Sequence, residues 1–154
     1  MTVETRIFGE VTIDPEKIIH FEGGIIGFPD LTDFALIFDA EKGDNAGIRW
    51  MQSLQETNFA IPVMDPLLIK EDYNPTVDDE ILKPIDFEKI EDILILVTVT
   101  VPKDLKLMSV NLKAPMIINV PERKALQVIL DGDEYKVKYP IYDILNARKK
   151  EGLC

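Results

Sequence analysis

One histidine and one cysteine bound the chemistry open to this chain. His20 stands between Ile19 and Phe21 in an apolar, β-branched stretch, and Cys154 is the last residue. A Ser-His-Asp triad, a histidine base or a zinc cage needs partners that such a chain cannot readily assemble. His20 is therefore expected to be a half-buried strand residue, and Cys154 a thiol in a frayed tail. Asp131-Gly132-Asp133 opens like a calcium loop. An EF-hand would then need a ligand at Tyr135, glycine at Lys136 and glutamate at Tyr142, and all three fail. Gly23-Gly24-Ile25-Ile26-Gly27 is glycine-rich but lacks a following lysine-serine pair, and Phe28-Pro29 stands where a phosphate-binding helix would start. Twenty-eight carboxylates leave one enzymatic alternative, a carboxylate-based carbohydrate-processing or carbohydrate-binding β-sandwich. The main expectation is a chain with no catalytic residue, no cofactor and no metal.

Two other features suit binding. Residues 71–92 hold nine acids against Lys83 and Lys89, so this stretch carries seven of the eleven net negative charges. Glu71, Asp72, Asp78, Asp79 and Glu80 lead it. Such clustering steers a basic protein, although Asp78, Asp79 and Glu80 also favour the start of a helix. The second feature is Val110-Asn111-Leu112-Lys113-Ala114-Pro115-Met116-Ile117-Ile118-Asn119, an apolar run kinked at Ala-Pro and bracketed by asparagines. Asparagine amides satisfy backbone groups where strand pairing lapses. An exposed edge here would accept a partner by strand addition. On that reading Asn111, Lys113, Ala114, Pro115, Met116 and Asn119 are the candidate contacts.

The elements that position these residues read mostly as strands. Val3, Thr5 and Ile7 alternate with charged residues, and Gly9-Glu10 turns the chain into Val11-Thr12-Ile13. Further strands are expected over 17–21, 34–38, 48–53 and 59–63, with a polar turn at 41–45 and Pro62 marking an edge or bulge. Thr76 should cap a two-turn helix over 77–82 that ends at Lys83-Pro84. Ile93 to Val101 is apolar on both faces at one end, as in a covered central strand. A strand over 116–120 precedes a predicted hairpin of 126–130 with 134–139 across Asp131-Gly132. A last short helix follows Pro140, with Ile141, Ile144 and Leu145 as its apolar stripe. The sum is an all-β, mainly antiparallel fold, a small barrel-like or sandwich architecture with one or two short helices.

At 154 residues and 46% apolar content the chain fits one domain, 1–154, that buries about two-thirds of its surface. Its net charge of −11 repels phosphates and argues against direct nucleic-acid binding. No apolar run reaches the ~20 residues of a membrane span. The first residues lack the pattern of a secretory signal, so a cytoplasmic monomer with no membrane contact is expected.

Five stretches, taken in order, resemble the FliW family of flagellar assembly factors. They are Phe21-Glu22-Gly23-Gly24-Ile25-Ile26-Gly27-Phe28, Met51-Gln52-Ser53, Phe59-Ala60-Ile61-Pro62-Val63 with Pro66, the 110–119 segment, and Gln127-Val128-Ile129-Leu130 with Tyr135. The resemblance covers about residues 2 to 145. This chain departs from the family pattern at Ile26, where proline is common, at Met51, where leucine is common, and at Arg123-Lys124-Ala125, which lacks a glycine. The resemblance implies a compact, non-enzymatic β-barrel-like protein with two partners. One is flagellin. The other is CsrA, a small basic RNA-binding dimer that represses translation of flagellin mRNA. Flagellin export would free the protein to sequester CsrA and relieve that repression.

Overall fold

The computed structural model describes residues 2–6, 8–37, 48–86 and 88–150. Eleven strands and two helices follow one another: β1 (Thr2–Thr5), β2 (Gly9–Thr12), β3 (Ile19–Phe21), β4 (Asp33–Ile37), β5 (Arg49–Ser53), β6 (Ala60–Met64), α1 (Asp79–Leu82), β7 (Ile93–Thr100), β8 (Ser109–Val110), β9 (Met116–Asn119), β10 (Lys124–Gln127), β11 (Tyr139–Pro140) and α2 (Tyr142–Lys150). The 41–45 turn and residue 38 of the expected fourth strand lie outside the described residues.

Seven strands close on themselves in the order β3-β4-β5-β6-β7-β9-β10 and back to β3. The ring is a barrel, which decides between the two architectures left open above. Its last seam, β10 beside β3, is parallel, with Lys124 opposite His20; the other ladders of the ring are antiparallel. All seven strands send apolar side chains inward: Ile19, Phe21, Phe34, Met51, Val63, Leu96, Met116, Ile118 and Ala125 form one buried cluster. Phe21 and Phe34 meet edge-on at 5.4 Å. A side chain of this size contributes about 1.5–3 kcal/mol on full burial, so this cluster is the main stabilising element.

Strand alternation then predicts what the outer face needs. On β7, Leu94 and Leu96 face the interior cluster, while Ile93, Ile95, Val97 and Val99 join two outer clusters. That both-sided burial is what the pattern of Ile93 to Val101 implied. The β1–β2 hairpin covers one outer patch at Ala35 and Leu54. Ile85, in a 3-10 turn after α1, covers Ile117 and Leu126. β8, β11 and α2 cover β6 and β7 through Met64, Val97, Val110 and Ile141, with Ile144 and Leu145 of α2 packed alongside as expected. Pro62 lies in β6 opposite Trp50 of β5, but the β6–β7 ladder begins only at Val63, so its missing N–H breaks no bond to β7.

Three expectations need correction. The hairpin across Asp131-Gly132 does not form: β10 already has β9 and β3 on its two sides, and β11 pairs instead with β8. The real hairpin joins β9 to β10 through 120–123, with Arg123 at φ 55° where glycine would be unstrained. The helix after Asn74-Pro75 starts later than expected and is shorter. Asp78, not Thr76, occupies the position before its first turn: its own backbone is extended, at φ −65° and ψ 142°, and Val77 before it packs against the outer clusters.

Candidate partner-binding surfaces

The segment 110–119 is not an exposed edge. β9 runs between β7 and β10, and Ala114, Pro115, Met116 and Asn119 are buried. Met116 points into the barrel interior. Strand addition at this place is therefore excluded by pairing on both sides. The asparagines serve the chain's own backbone. Asn111 Oδ1 accepts hydrogen bonds from the N–H groups of Lys113 and Ala114, both at 3.1 Å, which shapes the Ala-Pro kink. Asn119 Nδ2 donates to the carbonyls of Ile85 at 2.7 Å and Asp86 at 3.3 Å, tying the turn after α1 to the barrel. Only Asn111 and Lys113 remain part-exposed. Just before β8, however, Val101, Leu105 and Leu107 present apolar side chains to solvent.

The five leading acids are all exposed and share one strip of chain, 71–80. Two buried residues hold this strip down. Tyr73 donates its hydroxyl to the Leu112 carbonyl at 2.7 Å and packs against the Tyr135 ring at 4.6 Å, and the Asn74 N–H donates to the Tyr135 hydroxyl at 3.0 Å. Burial, helped by Tyr135, holds the Tyr73 phenol well above its ordinary range. Asp72 accepts from Lys70 at 2.8 Å, and this hydrogen bond holds its carboxyl below the usual carboxylate range. Lys83 pairs with Glu80 at 3.1 Å, and Lys124 pairs with Asp86. Asp78 makes no capping hydrogen bond to α1. The acids of the 71–80 strip thus face outward and are only partly paired with nearby lysines.

Opposite this strip lies a feature the sequence reading missed. A groove of about 270 Å³ opens between Val77, Asp78 and Ile81 on one wall and residues 128–131 with Glu134 on the other. Asp131 and Glu134 extend the acidic surface beyond 71–92. The sequence signal for it is the acidic pair of Asp131-Gly132-Asp133, a motif whose local pattern points to a calcium loop or a hairpin turn.

His20 Nδ1 lies 2.8 Å from Asp33 Oδ1, with Glu22 at 3.9 Å, so the histidine bridges β3 and β4 at the surface. It is exposed, not half-buried. Among the described residues no three His, Cys, Asp or Glu side chains gather as a metal site, and no helix is long and apolar enough to cross a membrane.

The FliW protein family matches residues 2–141. The flagellar assembly factor FliW of Lachnospira eligens is 45% identical over 98% of this chain and 99% of its own. That of Lachnoclostridium phytofermentans is 38% identical over the full length of both. A crystal structure of the flagellar assembly factor FliW superposes with a TM-score of 0.83 at 28% identity, covering 92% of this chain and 96% of that one.

Proposed function

The chain belongs to the FliW family of flagellar assembly factors, and from that premise we propose that it acts by binding proteins, not by catalysis. Its two partners are flagellin and CsrA; holding CsrA relieves repression of flagellin mRNA translation, and flagellin competes for the protein as it accumulates in the cytoplasm. The observation that carries the CsrA half is the exposed acidic strip 71–80 on a chain of net charge −11, since an RNA-binding partner must be basic. Glu71, Asp72, Asp78, Asp79 and Glu80 form the steering surface. For flagellin, the exposed Val101, Leu105 and Leu107 lead directly into Asn111 and Lys113, the accessible part of the 110–119 segment, and favour an apolar contact that salt does not weaken. The carbohydrate alternative draws less support: Trp50, the only tryptophan, is part-buried in β5 and packed in a T-shaped contact with Phe8 at 5.9 Å.

Stopped-flow association with purified CsrA tests this reading. The Debye length falls from about 30 Å at 10 mM salt to about 8 Å at 150 mM, so raising salt should slow association far more than it hastens release. Asp78→Lys with Asp79→Lys should reproduce the loss at low salt while flagellin capture persists. An unchanged rate in the folded double variant would reduce the acidic strip to a solubility device. Failure of the wild type to bind either partner would remove the proposal altogether.

A further inference from the structure

The groove between α1 and residues 128–134 has properties that a merely solvated surface lacks. Its lining is mixed, with one exposed apolar side chain on each wall: Ile81 is 45% and Ile129 64% accessible, set among the polar Thr76, Asp78, Asp131 and Glu134. The walls are fixed. The Val128 and Leu130 N–H groups donate to the carbonyls of Pro115 at 3.1 Å and Lys113 at 2.8 Å, and Tyr135 is locked to Tyr73 and Asn74. Its rim is negative and unspent on internal pairing. Among the described residues Lys70, Lys83 and Lys124 engage Asp72, Glu80 and Asp86, and Asp78, Asp131 and Glu134 have no ion pair. At about 270 Å³ the space lies at the floor of the range for small-molecule pockets, about 300–1,000 Å³, and suits one or two side chains of a docked polypeptide.

We propose that this groove seats an amphipathic segment of a partner protein, with one or two apolar side chains resting on Ile81 and Ile129 and flanking lysines or arginines meeting Asp78, Asp131 and Glu134. Charge complementarity selects a basic segment over a neutral or acidic one, and preformed walls lower the ordering cost of binding. The inference rests on the reading that this chain binds a basic protein. It divides that binding in two: the acids of the 71–80 strip and of the groove rim steer approach, and the apolar contacts inside the groove set residence time.

Purified CsrA serves as the probe, by surface plasmon resonance at two salt concentrations. Ile81→Asp and Ile129→Asp should each weaken binding tenfold or more, mainly through faster release, because the lost contact is short-range. Val120→Asp, at a side chain 51% accessible in the turn between β9 and β10, should leave CsrA affinity unchanged. Asp131→Lys with Glu134→Lys should slow association at low salt and much less at high salt. Ile129 lies outside helix and strand, so its variant carries the test if Ile81→Asp fails to fold. Wild-type affinity and release in folded Ile129→Asp would overturn the groove while the broader reading stands. Absence of CsrA binding to the wild type would overturn both.

Discussion

Asn119 and Tyr73 look like ordinary polar residues in the sequence, yet each holds an outer layer onto the barrel. Replacing Asn119 with Leu removes two donors and strands the Ile85 carbonyl in a buried place. Each buried acceptor left unpaired costs about 1–3 kcal/mol, so the unfolding free energy read by urea titration should fall by that amount without loss of the interior core. Tyr73 gives a pH dependence. Its phenol stays protonated in the folded protein beyond the ordinary value near 10. A group whose folded pKa is raised supports folding fully below its unfolded pKa and less as pH rises past it. Stability should therefore decline above pH ~10, by up to about 1.4 kcal/mol per pH unit. Tyr73→Phe should flatten this decline, at the expense of an unpaired Leu112 carbonyl at neutral pH. Urea denaturation at pH steps from 8 to 12 reads both effects.

At the scale of elements, the loop from β3 to β4 depends on Gly24. Its φ is +75°, and a Cβ there would lie 2.5 Å from the Pro29 carbonyl oxygen. Gly24→Ala should cost more than the roughly 1–2 kcal/mol of the left-handed backbone alone, visible as a lowered thermal midpoint. This glycine stands within a stretch the sequence makes conspicuous. Much else followed from alternation: the two-sided burial of β7, the α2 stripe and the all-β class. What failed was pairing. Asp131-Gly132 satisfies the local rule for a hairpin, and Gly132 does adopt φ +81°, but local turn chemistry carries no information about whether the flanking strand has a free edge. β10 had none. The same blindness made 110–119 look like an edge, because apolar residues in an exposed strand and in a strand with two neighbours read alike. The acidic strip was legible since charge density needs no tertiary information. The groove was not, because its walls come from segments some fifty residues apart.

Across the whole molecule, seven strands share one interior, and three separate layers cover the outside. A closed ring removes the free edges by which β-proteins aggregate, and β11, outermost of the β8–β11 extension, ends in Pro140. Most of its pairings join neighbours in the chain. The seam of β3 with β10 does not, and it joins residues about a hundred positions apart. A ribosome adds about 5–20 residues per second, so His20 and Phe21 leave it some 5–20 s before their parallel partners exist. During that interval the newborn protein is an open sheet with an unclaimed border at β3. Nascent chains stalled with residues up to 110 outside the ribosome should be cut rapidly by protease, and those with 150 outside should resist. Whatever guards this protein during its manufacture must therefore act before the last fifth of it is made.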